Sequence, residues 1–559
     1  MKNIHKIFAS VVLVCGIFFS SCSDMLDVDT NRYKGVDDGR IDSPSDTVST
    51  VLGILKQLRL LNDRYIVLGE LRADLMDIVT ENADQDLREI YNIDYQDIDY
   101  SGRERNAYLT LEEYYSVINN CNLFINKVDT TLMVGGRRIL LQEYAVVKGI
   151  RAWTYLQLVL NYGKACYITE PILTVEDMNK YYKESDLQEI ADLLIKDIAP
   201  YEFLEYPAYI VSDRYQVFPI SFLLGDLYLW KQDYENAALH YHNLISGKGP
   251  ARRLVPSDRF RWLLDPEGAE LGSVYTNSWS SIFSNPTSGD AYTLMKDYID
   301  RPVSNRIRDL VEVKRTGTSA QYKLAPSKVA MDNWSNSPYT FYIEASKTVL
   351  NRLGDLRGKI THYNNSPSGA SYNVAVSEAG DTIPYINKYD QNTGFLYRVP
   401  TLYLRFAEAI NQLGKPSVAF AVLKYGLNEN ILADPKRVNL DEVGGENKPS
   451  YLDFRFLTQN EVDNTIGIHA RGSGSVEQDT LNYILGVLTE KTDSINRVEE
   501  LILDELALET AFEGNRFHDL MRFAIRRGSP EIMTTRVAKK NPSAASKLEE
   551  EKYWYLPSY

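Results

Sequence analysis

The sequence is short of the residues from which most catalytic and metal sites are built. Of 559 residues, six are histidine and four are cysteine. His240 and His242 are the only histidines close together, so neither a metalloprotease helix nor a zinc-binding spacing is present. A Gly-x-Ser-x-Gly elbow, a phosphate-cradling glycine loop and paired Cys-x-x-Cys motifs are also missing. Basic charge is in deficit: 61 Lys and Arg face 76 Asp and Glu, a net charge of −15. Nucleic-acid binding needs a basic face to meet phosphates, and no Lys/Arg cluster supplies one. Beyond the N-terminus no run approaches the ~20 apolar residues of a membrane-spanning helix. What remains, 44% hydrophobic and 25% charged, is the composition of a globular chain able to bury a large core.

The N-terminus is the exception to this restraint. Lys2, His5 and Lys6 precede an apolar run from Ile7 to Phe19, the layout of a secretory signal. The run ends in Phe19-Ser20-Ser21-Cys22, with small residues directly before a cysteine, as a lipoprotein signal peptidase requires. Residues 1–21 are therefore expected to be removed and Cys22 to carry lipid, the alternative being an ordinary signal with an incidental cysteine. Residues 22–47 then form a tether opening on the acidic Ser23-Asp24-Met25-Leu26-Asp27-Val28-Asp29. Cys15 leaves with the signal, and for Cys121 and Cys166 a single disulfide and two buried thiols fit equally.

Helical periodicity dominates the body. It is expected over 48–61, 106–127, 138–162 and 185–199, the third with Tyr144, Val147, Ala152, Tyr155, Leu156 and Val159 at three- and four-residue spacing. Two segments read as tetratricopeptide-like hairpins, in which small residues let paired helices approach. In one, Gly225 and Tyr228 precede Ala237 and Tyr241; in the other, Tyr403, Ala407 and Ile410 precede Ala419 and Leu423, with Gly414 and Pro416 at the turn. Residues 246–400 are rich in Gly, Ser, Pro, Asn and Tyr and read as long loops with small strands and short helices, and 428–480 is similar. The expectation is a mostly α protein forming a single unit over 48–559. Its helical scaffold spans 48–245 and 401–427, its loop-rich ligand-facing part 246–400, and its C-terminal region 428–559.

Three groups of side chains are candidates for function. Glu509, Glu513, Arg516, Asp519 and Arg522, with Gly514, sit on a helix-turn-helix pattern interleaved with apolar Leu506, Phe512, Phe517 and Leu520. That setting suits a structural ion-pair network better than an acid–base dyad, which needs an open cleft. His469-Ala470-Arg471-Gly472-Ser473-Gly474-Ser475 resembles an anion-cradling loop, but without a flanking strand and helix a flexible connection is the better reading. Tyrosine, with 39 copies against 18 of Phe, is the informative excess. Its flat ring and hydroxyl suit a polar ligand with C–H faces, such as a sugar, and also a peptide. The expected ligand-binding platforms are Trp279 and Tyr292, Trp334 with Tyr339, and Tyr91, Tyr95 and Tyr100. No catalytic or metal-binding residue is assigned.

Several segments together resemble the SusD/RagB family of nutrient-binding lipoproteins. They are Cys22-Ser23-Asp24, Glu70-Leu71-Arg72-Ala73-Asp74, the helix from Lys148-Gly149-Ile150-Arg151 to Asn161-Tyr162-Gly163 and the hairpin at 215–245. Tyr403-Leu404-Arg405-Phe406-Ala407-Glu408, the pair from Glu505 to Arg522, and the closing Tyr553-Trp554-Tyr555-Leu556-Pro557 complete the set. The chain departs from the family at Lys164-Ala165-Cys166, where a proline usually follows the glycine, and at its last residues, Ser558-Tyr559. The resemblance implies a SusD-like helical fold, an outer-membrane surface location and no cofactor or bond chemistry. It implies capture of an oligosaccharide, or alternatively an oligopeptide, for a partner SusC-like TonB-dependent transporter. Two competing classes are a surface glycoside hydrolase, which needs two carboxylates facing one cleft, and a pure assembly scaffold.

Overall fold

A computed structural model of the chain describes residues 41–204, 218–247, 260–264, 270–275, 291–296, 307–316, 319–343, 346–358, 371–376, 382–389, 393–474, 476–486 and 490–558. Cys22 and Trp279 lie outside these residues, and Tyr292 lies on a described strand whose side chains are not described. No helix among the described residues is long and apolar enough to cross a membrane.

The first helix, α1 (Pro44–Leu58), starts inside the expected tether. The Ser43 hydroxyl accepts from Asp46 N at 3.3 Å, and Pro44 occupies the first turn, where its missing N–H has no helical partner to lose. α2 (Glu112–Lys127) and α3 (Leu141–Tyr162) pack together, and α3 stops at Gly163, whose φ of 76° closes the helix in the left-handed conformation. Every residue of α3 from Ala145 to Tyr162 is buried. Its Lys148 and Arg151 reach Asp197 of α4 (Leu187–Ile198) at 2.5 and 2.7 Å, which satisfies two charges on an otherwise enclosed helix.

The small-residue spacing has its expected consequence in α5 (Ile220–Trp230) and α6 (Tyr234–Ser246), which form a hairpin. A Cβ on Gly225 would come within 2.3 Å of the Tyr241 ring, so only glycine lets that ring lie across α5. The Tyr241 hydroxyl donates to Asp226 at 2.7 Å. α7 (Lys328–Asn336) belongs to the loop-rich stretch. The second hairpin, α8 (Val399–Gln412) and α9 (Pro416–Lys424), turns at Gly414, φ 73°, and α8 packs on both α6 and α10 (Lys491–Glu509). α11 (Arg516–Arg527) follows α10 directly.

Described strands occur as antiparallel pairs, each too small to stand alone in water. β1 (Met76–Ile78) pairs with β3 (Leu324–Pro326), and β2 (Ala291–Lys296) with β8 (Thr393–Arg398). β4 (Pro338–Ile343) pairs with β5 (Thr348–Leu353), and β6 (Tyr372–Val376) with β7 (Thr382–Ile386), Asn373 opposite Tyr385. Cys121 is buried and Cys166 half-buried, both as free thiols.

The corner between α10 and α11 is where loop-rich part and scaffold are joined, by charge. Glu509 lies against Arg357 at 3.0 Å and Arg398 at 3.1 Å, and Glu513 against Lys388 at 2.6 Å and Arg398 at 2.7 Å. Burial works against ionisation of Glu509, yet Arg471, Arg398 and Arg357 outweigh it and hold the carboxyl well below the usual range. Glu70 accepts from the backbone N–H groups of Phe512 at 3.1 Å, Gly514 at 2.8 Å and Asn515 at 3.1 Å. With Glu509 4% and Glu513 1% exposed and both saturated by cations, this cluster offers a substrate no carboxylate: it is the structural network expected of it.

Glu408 on α8 is held in the same way by Arg522 of α11, at 2.9 and 2.7 Å, and by Arg526 at 2.7 Å. Burial alone would raise its pKa; the two arginines reverse that and bring it to about 2. Because the folded value lies below the unfolded one, the stabilisation is complete above the ordinary glutamate range and is lost as pH falls from about 4.5 towards 2. The shift corresponds to about 3 kcal/mol. Urea unfolding measured across that window should show the decline, and Glu408→Gln should flatten it while lowering stability at neutral pH. Parallel pH profiles for the two proteins would show that the ion pair contributes nothing.

Candidate functional site

The loop-rich part presents an open groove of about 280 Å³. One side is the short helix Ile307–Val311 and the Glu312–Val313 segment after it; the other is the β6–β7 pair and the residues leaving it, Ala375, Tyr385, Ile386, Asn387 and Tyr389. Its volume is at the small end for ligand pockets, roughly 300 Å³ and upward, which suits one or two units of a longer ligand lying across it. Tyr385 and Asn387 are half-buried, and Arg308 and Glu312 pair at 2.9 Å along one helical turn while remaining partly exposed. The groove thus combines an aromatic edge, an amide and a cation–anion pair on an apolar floor of Val311 and Ile386. Glu312 is the only acid among the described residues that line it, so the two facing carboxylates of a glycoside hydrolase are not assembled there.

The floor is fixed from below. Ser371 N donates to Arg357 O at 2.9 Å and Asn387 N to Ser371 O at 3.0 Å, while the Arg357 guanidinium is bound to Asp355, Glu505 and Glu509. Tyr389 is buried and its hydroxyl donates to Phe512 O. A buried charge network on the scaffold therefore sets the position of strands that would otherwise be loosely held.

Most of the aromatic platforms expected from the sequence lie away from this groove, and four of them, Trp334, Tyr339, Tyr95 and Tyr100, are buried. Trp334 is 1% exposed: its Nε1 donates to Leu508 O at 3.1 Å and its ring stacks on Tyr372 with centroids 5.6 Å apart. It sits on α7, which Ser327 caps, and faces the core with Ala330 one turn earlier. Tyr339 is also buried, with its ring where a Cβ on Gly474 would come within 2.8 Å. Tyr95 and Tyr100 are buried too, donating to Tyr553 O and to Glu89, each at 2.8 Å. Tyr91 is half-buried under Lys540, whose Nζ lies 4.8 Å from the ring centre. Tyr95 and its neighbours help seat the C-terminal segment, where Gln96 donates to Tyr555 O at 2.8 Å.

Residues 469–474 are likewise no flexible connection. His469, Arg471 and Ser473 are buried, His469 Nδ1 lies 2.7 Å from Glu505, and a Cβ on Gly472 would come within 2.2 Å of Asp355. The groove residues Tyr385, Asn387, Arg308 and Glu312 were not singled out by sequence. The available signal was local: Thr382-Ile383-Pro384-Tyr385-Ile386-Asn387 is a short alternating run in a polar region.

Comparison with known proteins fits this architecture. The SusD family profile matches residues 354–557, the stretch that carries Arg357, Arg398, Glu408, Glu509 and Arg516. A SusD-like protein from Formosa agariphila is 23% identical over 447 residues, covering 76% of this chain and 81% of that one. A SusD superfamily protein from Bacteroides thetaiotaomicron has the same fold with a TM-score of 0.55 at 14% identity, covering 92% of this chain and 95% of its own. NanU of Bacteroides fragilis superposes with a TM-score of 0.50 at 15% identity, covering 92% and 94%. Residues 354–557 thus match the SusD family, and the described residues share their fold with SusD superfamily structures.

Proposed function

We propose that the chain captures an oligosaccharide in the groove between residues 308–313 and 385–389 and delivers it to a partner SusC-like TonB-dependent transporter, working at the outer-membrane surface from a lipid on Cys22. The SusD-family match over residues 354–557 and the similarity to a SusD-like protein support a nutrient-binding surface protein. The observation that carries the glycan reading is the groove itself. Tyr385 offers a flat face for a sugar ring, and Asn387, Arg308 and Glu312 surround it with donors and acceptors for hydroxyl groups. Modest affinity follows from so open a site and permits release to the transporter.

The test is calorimetry and array binding with the mature, lipid-free chain against glycans and peptide mixtures. Tyr385→Ala should weaken binding of the glycan so identified by about ten- to hundredfold, the loss of an aromatic anchor worth about 1–3 kcal/mol. Its melting temperature should barely move, since the ring is half exposed. Binding of peptides and not glycans would replace the cargo class. Undiminished glycan binding by Tyr385→Ala would move the site out of this groove, and release of reducing sugar would make the protein an enzyme.

A further inference from the structure

On the far side of α2 from its N-terminus the chain forms a minimal hairpin whose composition is at odds with its exposure. Met133 pairs with Arg138 and Val134 with Arg137. Gly135 and Gly136 make the turn with φ of 57° and 79°, the left-handed values a two-residue hairpin loop requires. All six residues are exposed, Met133 by 54% and Val134 by 58%. Directly opposed residues share a face, so each face of the ribbon carries one apolar side chain beside one arginine. Such a ribbon is marginal in water, where its apolar side chains gain nothing. Neither arginine has an acidic partner among the described residues, in a chain of net charge −15.

The hairpin lies next to the point where the N-terminal segment joins the body. Ile41 bridges Val128 in parallel: Ile41 N donates to Lys127 O and Asp129 N to Ile41 O, both at 3.0 Å. Val128 is at the C-terminal end of α2, and Met133 follows after one short turn. Cys22 is nineteen positions before Ile41, a reach of at most ~65 Å for an extended chain. Paired apolar and arginine side chains match the boundary layer of a bilayer, where the aliphatic part enters among the acyl chains and the guanidinium stays with the headgroups.

We propose that the Met133–Arg138 hairpin is a bilayer-contacting tip: when the chain is anchored, Met133 and Val134 enter the interfacial layer and Arg137 and Arg138 pair with anionic lipid headgroups. The geometry rests on the lipid-anchor reading of Cys22. Two arginines at an anionic surface favour the docked state by roughly thirtyfold, and high salt screens that preference.

The experiment separates the tip from the anchor. Mature chain beginning at Ser23 and carrying an N-terminal hexahistidine is held on vesicles through nickel-chelating lipid, with either phosphatidylcholine alone or phosphatidylcholine with phosphatidylglycerol. Hydrogen exchange is then followed for peptides covering 131–139. On phosphatidylglycerol vesicles these amides should exchange about tenfold more slowly than in free solution, an effect reduced at high salt and lost in Arg137→Glu/Arg138→Glu and in Met133→Ser/Val134→Ser. Exchange elsewhere should be unchanged, which controls for folding. Equal rates on both vesicles and in solution, or slowing that survives both double variants, would overturn the proposal. The mass of the chain recovered from its own membranes tests acylation of Cys22 separately, so an unlipidated chain would sink the anchor reading while leaving the exchange result to decide the tip.

Discussion

Arg516→Ala should lower stability by about 3–5 kcal/mol while leaving the groove able to bind in whatever protein remains folded. The arginine is 4% exposed and holds Asp74 with two parallel bonds, Nε at 2.7 Å and Nη2 at 2.9 Å, while Nη1 donates to Leu503 O at 2.8 Å. Burial alone would raise the Asp74 carboxyl; the Arg516 guanidinium outweighs it and keeps Asp74 ionised below the usual range. Removing the guanidinium strands a carboxylate that is 1% exposed. Arg516→Lys should recover only part of the loss, because an ammonium lacks the planar fork that meets both carboxylate oxygens. The deficit should narrow in acid, where protonation of the stranded Asp74 relieves its burial. Urea unfolding and calorimetry measure the two halves of the claim. An unchanged midpoint with lost binding would make Arg516 a ligand-facing residue.

The second large effect is expected at Trp334. Its ring fills the space between α7, α10 and β6, against Tyr372 and, with centroids 5.8 Å apart, Phe512. The fit is tight enough that a Cβ on Gly358 would come within 2.5 Å of it. Trp334→Ala leaves a cavity that these strands and helices cannot close, at about 3–5 kcal/mol. It also leaves Leu508 O without its side-chain donor. Trp334→Phe keeps most of the packing and loses that bond, so it should fall between the variant and the parent. Thermal unfolding of the three proteins decides the matter, and a Trp334→Ala protein that melts with the parent would return this ring to the list of exposed platforms.

The contrast between these two residues shows where sequence was legible. Arg516 was readable because its neighbourhood is a local pattern, acids and arginines at helical spacing among apolar residues. Gly225 and Tyr241 were readable for a related reason, since a short hairpin brings residues sixteen apart into contact by its own geometry. The aromatic residues were not readable in this way. Whether Tyr95 is a platform or a core residue depends on Tyr553, 458 positions away, and Trp334 is buried by Leu508, 174 positions away. A polar flanking sequence makes either outcome look like exposure. The same limit hid Arg357, Lys388 and Arg398, which sit in the loop-rich region and complete the charge network only through tertiary contacts. It also hid the groove, whose two sides come from segments some seventy residues apart with no shared pattern.

The cradle around Glu70 bears on how such a chain becomes folded at all. Its carboxylate takes its donors from residues 512–516, so the bond to Phe512 N closes a loop of 442 residues. Until that closure Glu70, and Asp74 one turn later, are acids awaiting partners that are synthesised 442 residues after them. Ring closures of this span form slowly, because the entropy of ordering the intervening chain is lost before the contact returns anything. The N-terminal helices therefore should not settle alone, and a chain lacking residues 510–559 should behave as an unfolded polypeptide throughout, not as a smaller folded one. This amounts to a completeness check: the segment around Glu70 and Asp74 acquires its native packing when residues 512–516 have arrived.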